Sequence, residues 1–264
     1  MTARQAPRSR WFPWLSYLVL WPLFGVATAL FGSAALLASL FDRSGRLQHR
    51  IARVWGTTVL RITFSPVQLV GVENLAGIGP AVFAANHLSY MDTPVVLSKL
   101  PFQFRILARH DLFRIPFIGW YLQRSGQIAV DSSSLRANVA SLNRGADTVR
   151  HGMSLVLFPE GGRSADGRLQ PFLAGAAIIA IRAQAPIVPV ALIGTHELMP
   201  MHTYHLHPRP LALLIGKPIS TTGCTTRQAD QLLAQVVASI GEMCAQFGCP
   251  CTDVEQPLAA EMRP

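Results

Sequence analysis

Lysine is almost missing from this chain. Only Lys99 and Lys217 occur, so nearly all of the positive charge behind the formal net +9 is arginine. There is no lysine-rich tail and no nucleic-acid-binding module, which sets nucleic acid aside as a partner. An anionic lipid surface or an acidic carrier remains to answer the basic excess. Charge of either sign is scarce, at 14% of residues, while half of the residues are hydrophobic, a balance that points to membrane contact. Cysteine is absent until the last 41 residues, where Cys224, Cys244, Cys249 and Cys251 follow without paired CxxC spacing. They read as reduced thiols of a cytosolic domain, not as a metal site or a disulfide framework. No Gly-x-Ser-x-Gly elbow occurs, which argues against a serine hydrolase. Internal repeats and low-complexity tracts are also lacking.

The longest absence is of charge at the N-terminus. Residues 1–10 form a basic leader with Arg4, Arg8 and Arg10, and from Trp11 to Phe41 no residue is charged. That run is long enough to span a bilayer, with Trp11, Trp14, Tyr17 and Trp21 as interfacial anchors near one end. It is too long and too aromatic for a cleaved signal peptide. Pro22, Gly25 and Gly32-Ser33 offer places to break it into two shorter helices lying in the interface. Arg43, Arg46, Arg50 and Arg53 make the far flank basic as well, so charge asymmetry does not choose between spanning and dipping in from one face. Residues 44–63 read as an amphipathic helix, with Leu47, Ile51, Val54, Trp55, Val59 and Leu60 at helical spacing. Residues 11–64 are therefore expected to be a membrane-associated helical region.

From Val67 the pattern changes to alternation. Apolar runs at 67–71, 81–85, 104–108, 127–130, 154–158, 187–193 and 211–215 read as strands. Helices are expected at 93–99, 111–123, 134–150, 173–183 and 226–246. This predicts a single α/β domain over 65–222, with a mostly parallel central sheet flanked by helices, and a C-terminal helix and tail over 223–264. At 264 residues the chain can bury such a core without staples.

Two stretches carry chemistry. In Asn86-His87-Leu88-Ser89-Tyr90-Met91-Asp92 a histidine follows a strand and a carboxylate stands at the start of a helix, with Asp92 as its N-cap and Pro94 in its first turn. If the turn folds back, Asp92 fixes the imidazole tautomer. The other ring nitrogen is then free to take a proton from a hydroxyl, and no serine or cysteine need be the nucleophile if the substrate brings an alcohol. The plainer alternative is a capping acid beside a satisfied turn histidine. The second stretch, Phe158-Pro159-Glu160-Gly161-Gly162-Arg163-Ser164, leaves a strand into a glycine-rich turn. Its backbone can approach an anion closely, and Arg163 can grip a phosphate with two parallel hydrogen bonds. A tight turn with a local Glu160–Arg163 pair is the alternative. Both stretches follow predicted strands, so both can reach one sheet edge, where α/β folds place their sites.

Together these motifs resemble the 1-acylglycerol-3-phosphate O-acyltransferase family, the lysophospholipid acyltransferases. Ile115-Pro116-Phe117-Ile118-Gly119-Trp120 with Gly126-Gln127-Ile128-Ala129-Val130-Asp131 is similar to the family's second block. Ile187-Val188-Pro189-Val190-Ala191-Leu192 is similar to its fourth. The resemblance covers about residues 66–220. It implies His87 as general base, Asp92 as its orienting partner, and Glu160, Gly161, Gly162 and Arg163 lining an acceptor site. Arg109 stands where many relatives have lysine. Three positions depart from the pattern: Ser132 follows Asp131 where arginine is usual, Gly162 replaces a threonine, and Phe172 is not followed by lysine.

The implied activity is transfer of an acyl group from a thioester to the free hydroxyl of lysophosphatidic acid. The donor would be acyl-coenzyme A or acyl-carrier protein, with no cofactor and no metal. The implied place is a membrane, at the cytoplasmic face of the inner membrane. Two phosphate-facing cations are missing, which keeps open another acceptor such as a lyso-ornithine lipid. A non-catalytic lipid-binding protein and a thioesterase are the rivals outside that chemistry. Arg105, Arg109, Arg114 and Arg124, interleaved with aromatics, are expected to face a donor, lipid headgroups or plain solvent. His196, His202, His205 and His207 form a histidine-rich loop expected near the acceptor mouth.

Overall fold

Seven short runs rich in Val, Ile, Leu and Ala form one sheet, and those at Val82–Ala85, Ile187–Ile193 and Leu211–Ile215 are buried on both faces. The computed structural model describes residues 12–131, 134–203 and 205–248. Cys249, Cys251, Ser132 and the basic leader lie outside these described residues. The strands are β1 (Val67–Val70), β2 (Val82–Ala85), β3 (Phe104–Arg109), β4 (Ile128–Val130), β5 (Ser154–Leu157), β6 (Ile187–Ile193) and β7 (Leu211–Ile215). Their order is β1-β7-β6-β2-β5-β3-β4, and every neighbouring pair is parallel except β6 with β7. All seven predicted strands are present. Pro189 is tolerated inside β6 because the β7 ladder covers only Val190 to Ile193, so the missing N–H falls beyond it.

Helices cover both faces. One face packs α5 (Leu135–Arg150), α6 (Gly175–Ala183) and α8 (Ala229–Gln246) against Val82, Ala84, Leu155, Leu157 and Ile187. The other packs α2 (Arg46–Ile62) and α3 (Asp92–Lys99) against Phe83, Ala85, Val156, Val188 and Val190. Gly56 allows α2 and α3 to meet: a Cβ there would lie 2.7 Å from the Pro94 carbonyl oxygen. The short helices α4 (Ile118–Arg124) and α7 (Thr195–Leu198) complete the set.

Helix α1 runs over residues 12–38, with a π-helical turn at Ser16–Leu20. It passes unbroken through Pro22, Gly25 and Gly32-Ser33, so the expected alternative of two shorter helices is not what forms. Its stretch Ser16–Ala38 is long and apolar enough to cross a bilayer, and only 17% of its most apolar part is buried. Its buried positions include Ser16 and Leu20 and the small residues Ala27, Ala35 and Ala38, which let α1 lie close on α2. Trp55 of α2 donates from Nε1 to Thr28 Oγ1 at 3.1 Å, and its ring meets Phe24 edge to face. Leu18, Leu30 and Leu37 point away and stay exposed.

Two expectations need correction. The helix expected over 111–123 is two pieces, a 3₁₀ turn His110–Arg114 and α4, because Pro116 cannot continue a helical ladder and Phe117 takes φ +64°. Asp92 does not cap α3. It is the first helical residue, Met91 holds the cap position without a side-chain bond, and the Asp92 carboxylate turns back upstream.

Candidate active site

The strands β2 and β5 are neighbours, yet the helices that follow them lie on opposite faces of the sheet, α3 on one and α6 on the other. Such a divergence opens a crevice at the carboxyl ends of the two strands. Both sequence motifs begin there.

The first loop is tied down at each side of its histidine. Asn86 is fully buried and pairs with β6 in both directions: its Nδ2 donates to the Leu192 carbonyl at 3.1 Å, and the Leu192 N–H donates to its Oδ1 at 2.7 Å. Ser89 Oγ donates to the Met199 carbonyl at 2.8 Å. Between these anchors, Asp92 Oδ2 accepts from the Leu88 and Ser89 amides at 2.7 and 2.8 Å and stands 2.8 Å from His87 Nδ1. Asp92 is wholly buried, so this oxygen meets donors and not water. With Nδ1–H donating to the carboxylate, Nε2 carries the lone pair, and nothing among the described residues hydrogen-bonds to it. The His87 ring lies flat on Phe158, centroids 4.1 Å apart and planes 18° from parallel. An imidazole held on one face by a ring and at one edge by a carboxylate has little freedom to turn.

The second loop is stitched to the first through the backbone. Glu160 Oε1 accepts from the His87 N–H at 2.8 Å, and its Oε2 accepts from the Gln170 N–H at 3.3 Å. The Ser164 N–H donates to the His87 carbonyl at 2.9 Å. Gly161 takes φ +71°, a conformation other residues rarely adopt, and so turns the chain sharply after Pro159-Glu160. Burial pushes the Glu160 carboxyl up to about 8, aided by the nearby Asp92 charge and opposed by the two amide bonds it accepts. At neutral pH it is therefore an uncharged acid that clamps two loops. The expected Glu160–Arg163 pair is not among the salt bridges of the described residues.

Arg163 stands instead over Tyr90, its guanidinium carbon 3.8 Å from the ring centroid. Burial lowers its pKa, the facing Tyr90 and Asp92 raise it, and Arg109 repels it from a distance. Its Nε is buried without a partner, an unspent donor beside the crevice. Gly162 is open: a Cβ there would touch nothing within 4 Å, so the threonine of the motif would fit without strain. Arg109 ends β3 at the same sheet edge but is committed to Asp111 at 2.8 Å, on the surface. The histidine-rich loop reaches the site by way of the Met199–Ser89 bond, while the Leu206 N–H donates to Ser16 Oγ of α1 at 3.1 Å. Sequence reasoning did not anticipate Phe158 as the histidine's platform, Tyr90 as the arginine's, or Gln170 as a second donor to Glu160. The alternation of aromatic and charged positions carried no signal of them.

The acyltransferase family model matches residues 66–193, which include both loops. A 1-acyl-sn-glycerol-3-phosphate acyltransferase of Saccharomyces cerevisiae is 30% identical over 217 residues, covering 80% of this chain and 71% of that protein. The chain belongs to the 1-acyl-sn-glycerol-3-phosphate acyltransferase family. Another family member, a chloroplastic 1-acyl-sn-glycerol-3-phosphate acyltransferase of Brassica napus, is 36% identical over 183 residues, covering 68% of this chain and 53% of that protein. The chain thus spans about half the length of that relative. A 1-acyl-sn-glycerophosphate acyltransferase crystal structure from Thermotoga maritima superposes with a TM-score of 0.75 at 23% identity, covering 89% of this chain and 96% of that one. At that identity the likeness speaks for the fold of this family member.

Proposed function

We propose that the protein is a membrane-associated O-acyltransferase that moves a fatty acyl group from a thioester to the free hydroxyl of lysophosphatidic acid. The observation that carries this reading is the His87 imidazole, fixed at Nδ1 by Asp92 at 2.8 Å with Nε2 left open to the crevice. The acceptor hydroxyl gives its proton to Nε2 as its oxygen bonds to the thioester carbonyl carbon. Asp92 stays ionised and stabilises the imidazolium. The tetrahedral oxyanion lies near the glycine turn, where a backbone amide can meet its charge. When it collapses the C–S bond breaks, and the leaving sulfur takes the proton back from His87. The products are the ester and the free thiol, and His87 is neutral again.

Arg163 holds the acceptor phosphate in this reading, with Gly161 and Gly162 letting the backbone come near. Arg109 adds positive potential at the same edge. Glu160 serves the site by positioning His87. Helix α1 provides the membrane attachment, and the active side faces the cytoplasm, where coenzyme A and acyl-carrier-protein thioesters are found. No cofactor takes part.

The test is an acyl-transfer assay on the detergent-solubilised full chain, with lysophosphatidic acid and lyso-ornithine lipid offered separately, each with both donors. Turnover of lysophosphatidic acid that drops about 10²–10⁴-fold in His87→Ala supports the reading. Equal turnover in a folded His87→Ala protein overturns the base. Preference for the phosphate-free lipid overturns the acceptor and leaves the chemistry standing.

A further inference from the structure

A cleft of about 530 Å³ opens where the end of α2, the 63–66 link, the start of β1 and the end of α3 come together. A recess of about 280 Å³ adjoins it and shares Thr57, Arg61 and Ser98. Arg53, Arg61 and Lys99 line the two, and no carboxylate does. None of these three cations forms a salt bridge among the described residues. Thr57 and Ser98 stand between them, each hydroxyl now donating to a carbonyl of its own helix at 2.9 Å and able to rotate toward an anion.

The same cleft is also lined by apolar Leu60, Phe64, Pro66 and Val67. Phe64 is 69% exposed and sits at φ +50°, a conformation that bulky side chains seldom take. Cationic and apolar side chains lining one cleft match a ligand with a phosphate head and a hydrocarbon body. Helix dipoles account for Arg61 and Lys99 taken singly, since each lies in the last turn of its helix. They do not account for Arg53, which lies mid-helix, or for three like charges sharing one cleft without an acid. The acyl-transfer site is elsewhere: Asp92 opens α3 and Lys99 closes it, about 10 Å apart along the helix axis.

We propose that this cleft is a second anion site, which binds the phosphate group of an anionic amphiphile and does not take part in acyl transfer. The apolar lining favours a phospholipid headgroup of the bilayer over a soluble phosphate as the source. The inference is independent of the catalytic reading, because it concerns residues that the reaction does not use.

The two lysines make it testable without any activity assay. Acetic anhydride labelling of the full chain is read by mass spectrometry at Lys99, with the exposed Lys217 as internal reference. Phosphatidylglycerol vesicles, phosphatidylcholine vesicles and inorganic phosphate are compared. The expected result is slowed labelling of Lys99 relative to Lys217 with phosphatidylglycerol alone. In Arg53→Gln/Arg61→Gln the protection should weaken about tenfold or more, as for loss of a charge-assisted hydrogen bond. Equal protection by inorganic phosphate would keep the anion site and assign it to soluble phosphate. Protection by phosphatidylcholine to the same degree, or protection unchanged in the double variant, would overturn the proposal, as would no protection at all.

Discussion

The two loops at the carboxyl edge of β2 and β5 are built on opposite plans. The 86–92 loop is closed: Asn86 and Ser89 are paired to neighbouring backbone, and a single oxygen of Asp92 takes two amides and the imidazole. The 158–170 loop is pinned at Glu160 and Ser164 but opens between them, with an unspent Arg163 Nε and empty space beside Gly162. A proton-transfer group needs fixed geometry, because a base out of line loses most of its effect. A recognition group needs donors not yet spent. The difference in satisfaction between the loops is the one expected if, as proposed, the first serves chemistry and the second binding.

The sharpest break of that comparison is at Asp92. In Asp92→Asn the amide oxygen still accepts from Leu88 and Ser89, so the turn should hold and the melting temperature move little. The same oxygen still receives His87 Nδ1–H, so the tautomer is kept, but the negative charge that stabilises the imidazolium is gone, and kcat should fall about 10²–10⁴-fold. Asp92→Ala should lose stability as well, because two buried amides are left unpaired at about 1–3 kcal/mol each. A folded Asp92→Asn protein with near-normal kcat would remove the role of the carboxylate charge.

Glu160 comes next, because it joins the loops. Its carboxyl is raised from 4.5 to about 8, so the folded protein keeps a proton that the unfolded chain releases. Stability is then undiminished below the unfolded value, falls as pH rises through the window, and levels off above 8, a span on the order of a few kcal/mol. His49 acts with the opposite sign. Burial lowers its pKa to about 4, so it weakens folding as pH falls below 6.5. Between pH 6.5 and 8 the Glu160 contribution stands clear of the His49 one. Thermal melts of wild type and Glu160→Gln should diverge there, with the wild type losing ground as pH rises, and parallel curves would contradict the buried acid.

On the binding side, Arg163→Ala should raise the acceptor KM about 10–100-fold with kcat nearly kept, the signature of a charge that holds ground state and transition state alike. An equal loss in kcat would move Arg163 into the reaction itself.

How much of this the sequence disclosed depends on range. The central strands were legible because both of their faces are buried and each reads as an unbroken apolar run, as in Val82–Ala85 and Ile187–Ile193. The pairing of His87 with Asp92 was legible because one turn encloses both. The break inside 111–123 was signalled by Pro116, which hydrophobic spacing outweighed in the reading. The role of Glu160 was hidden, since the acid stands three positions before Arg163 yet accepts from the distant His87 amide. Contacts between loops that meet only after the sheet has formed leave no local pattern.

Tyr90 is such a contact, and it carries the smallest and most discriminating prediction. Its ring is 53% exposed, so it contributes little to the core, yet it faces the Arg163 guanidinium at 3.8 Å. A cation over an aromatic face is stabilised by about 0.5–2 kcal/mol, and its edges stay free to donate. Tyr90→Phe keeps the face and should leave the acceptor KM unchanged. Tyr90→Leu removes it and should raise that KM by roughly 2–30-fold, with kcat and melting temperature held, because the arginine remains but is no longer aimed. If both variants behave alike, the ring is not what holds Arg163. If Tyr90→Leu costs nothing further in an Arg163→Ala background, the two residues act as one unit, and the open loop depends on an aromatic residue contributed by the closed one.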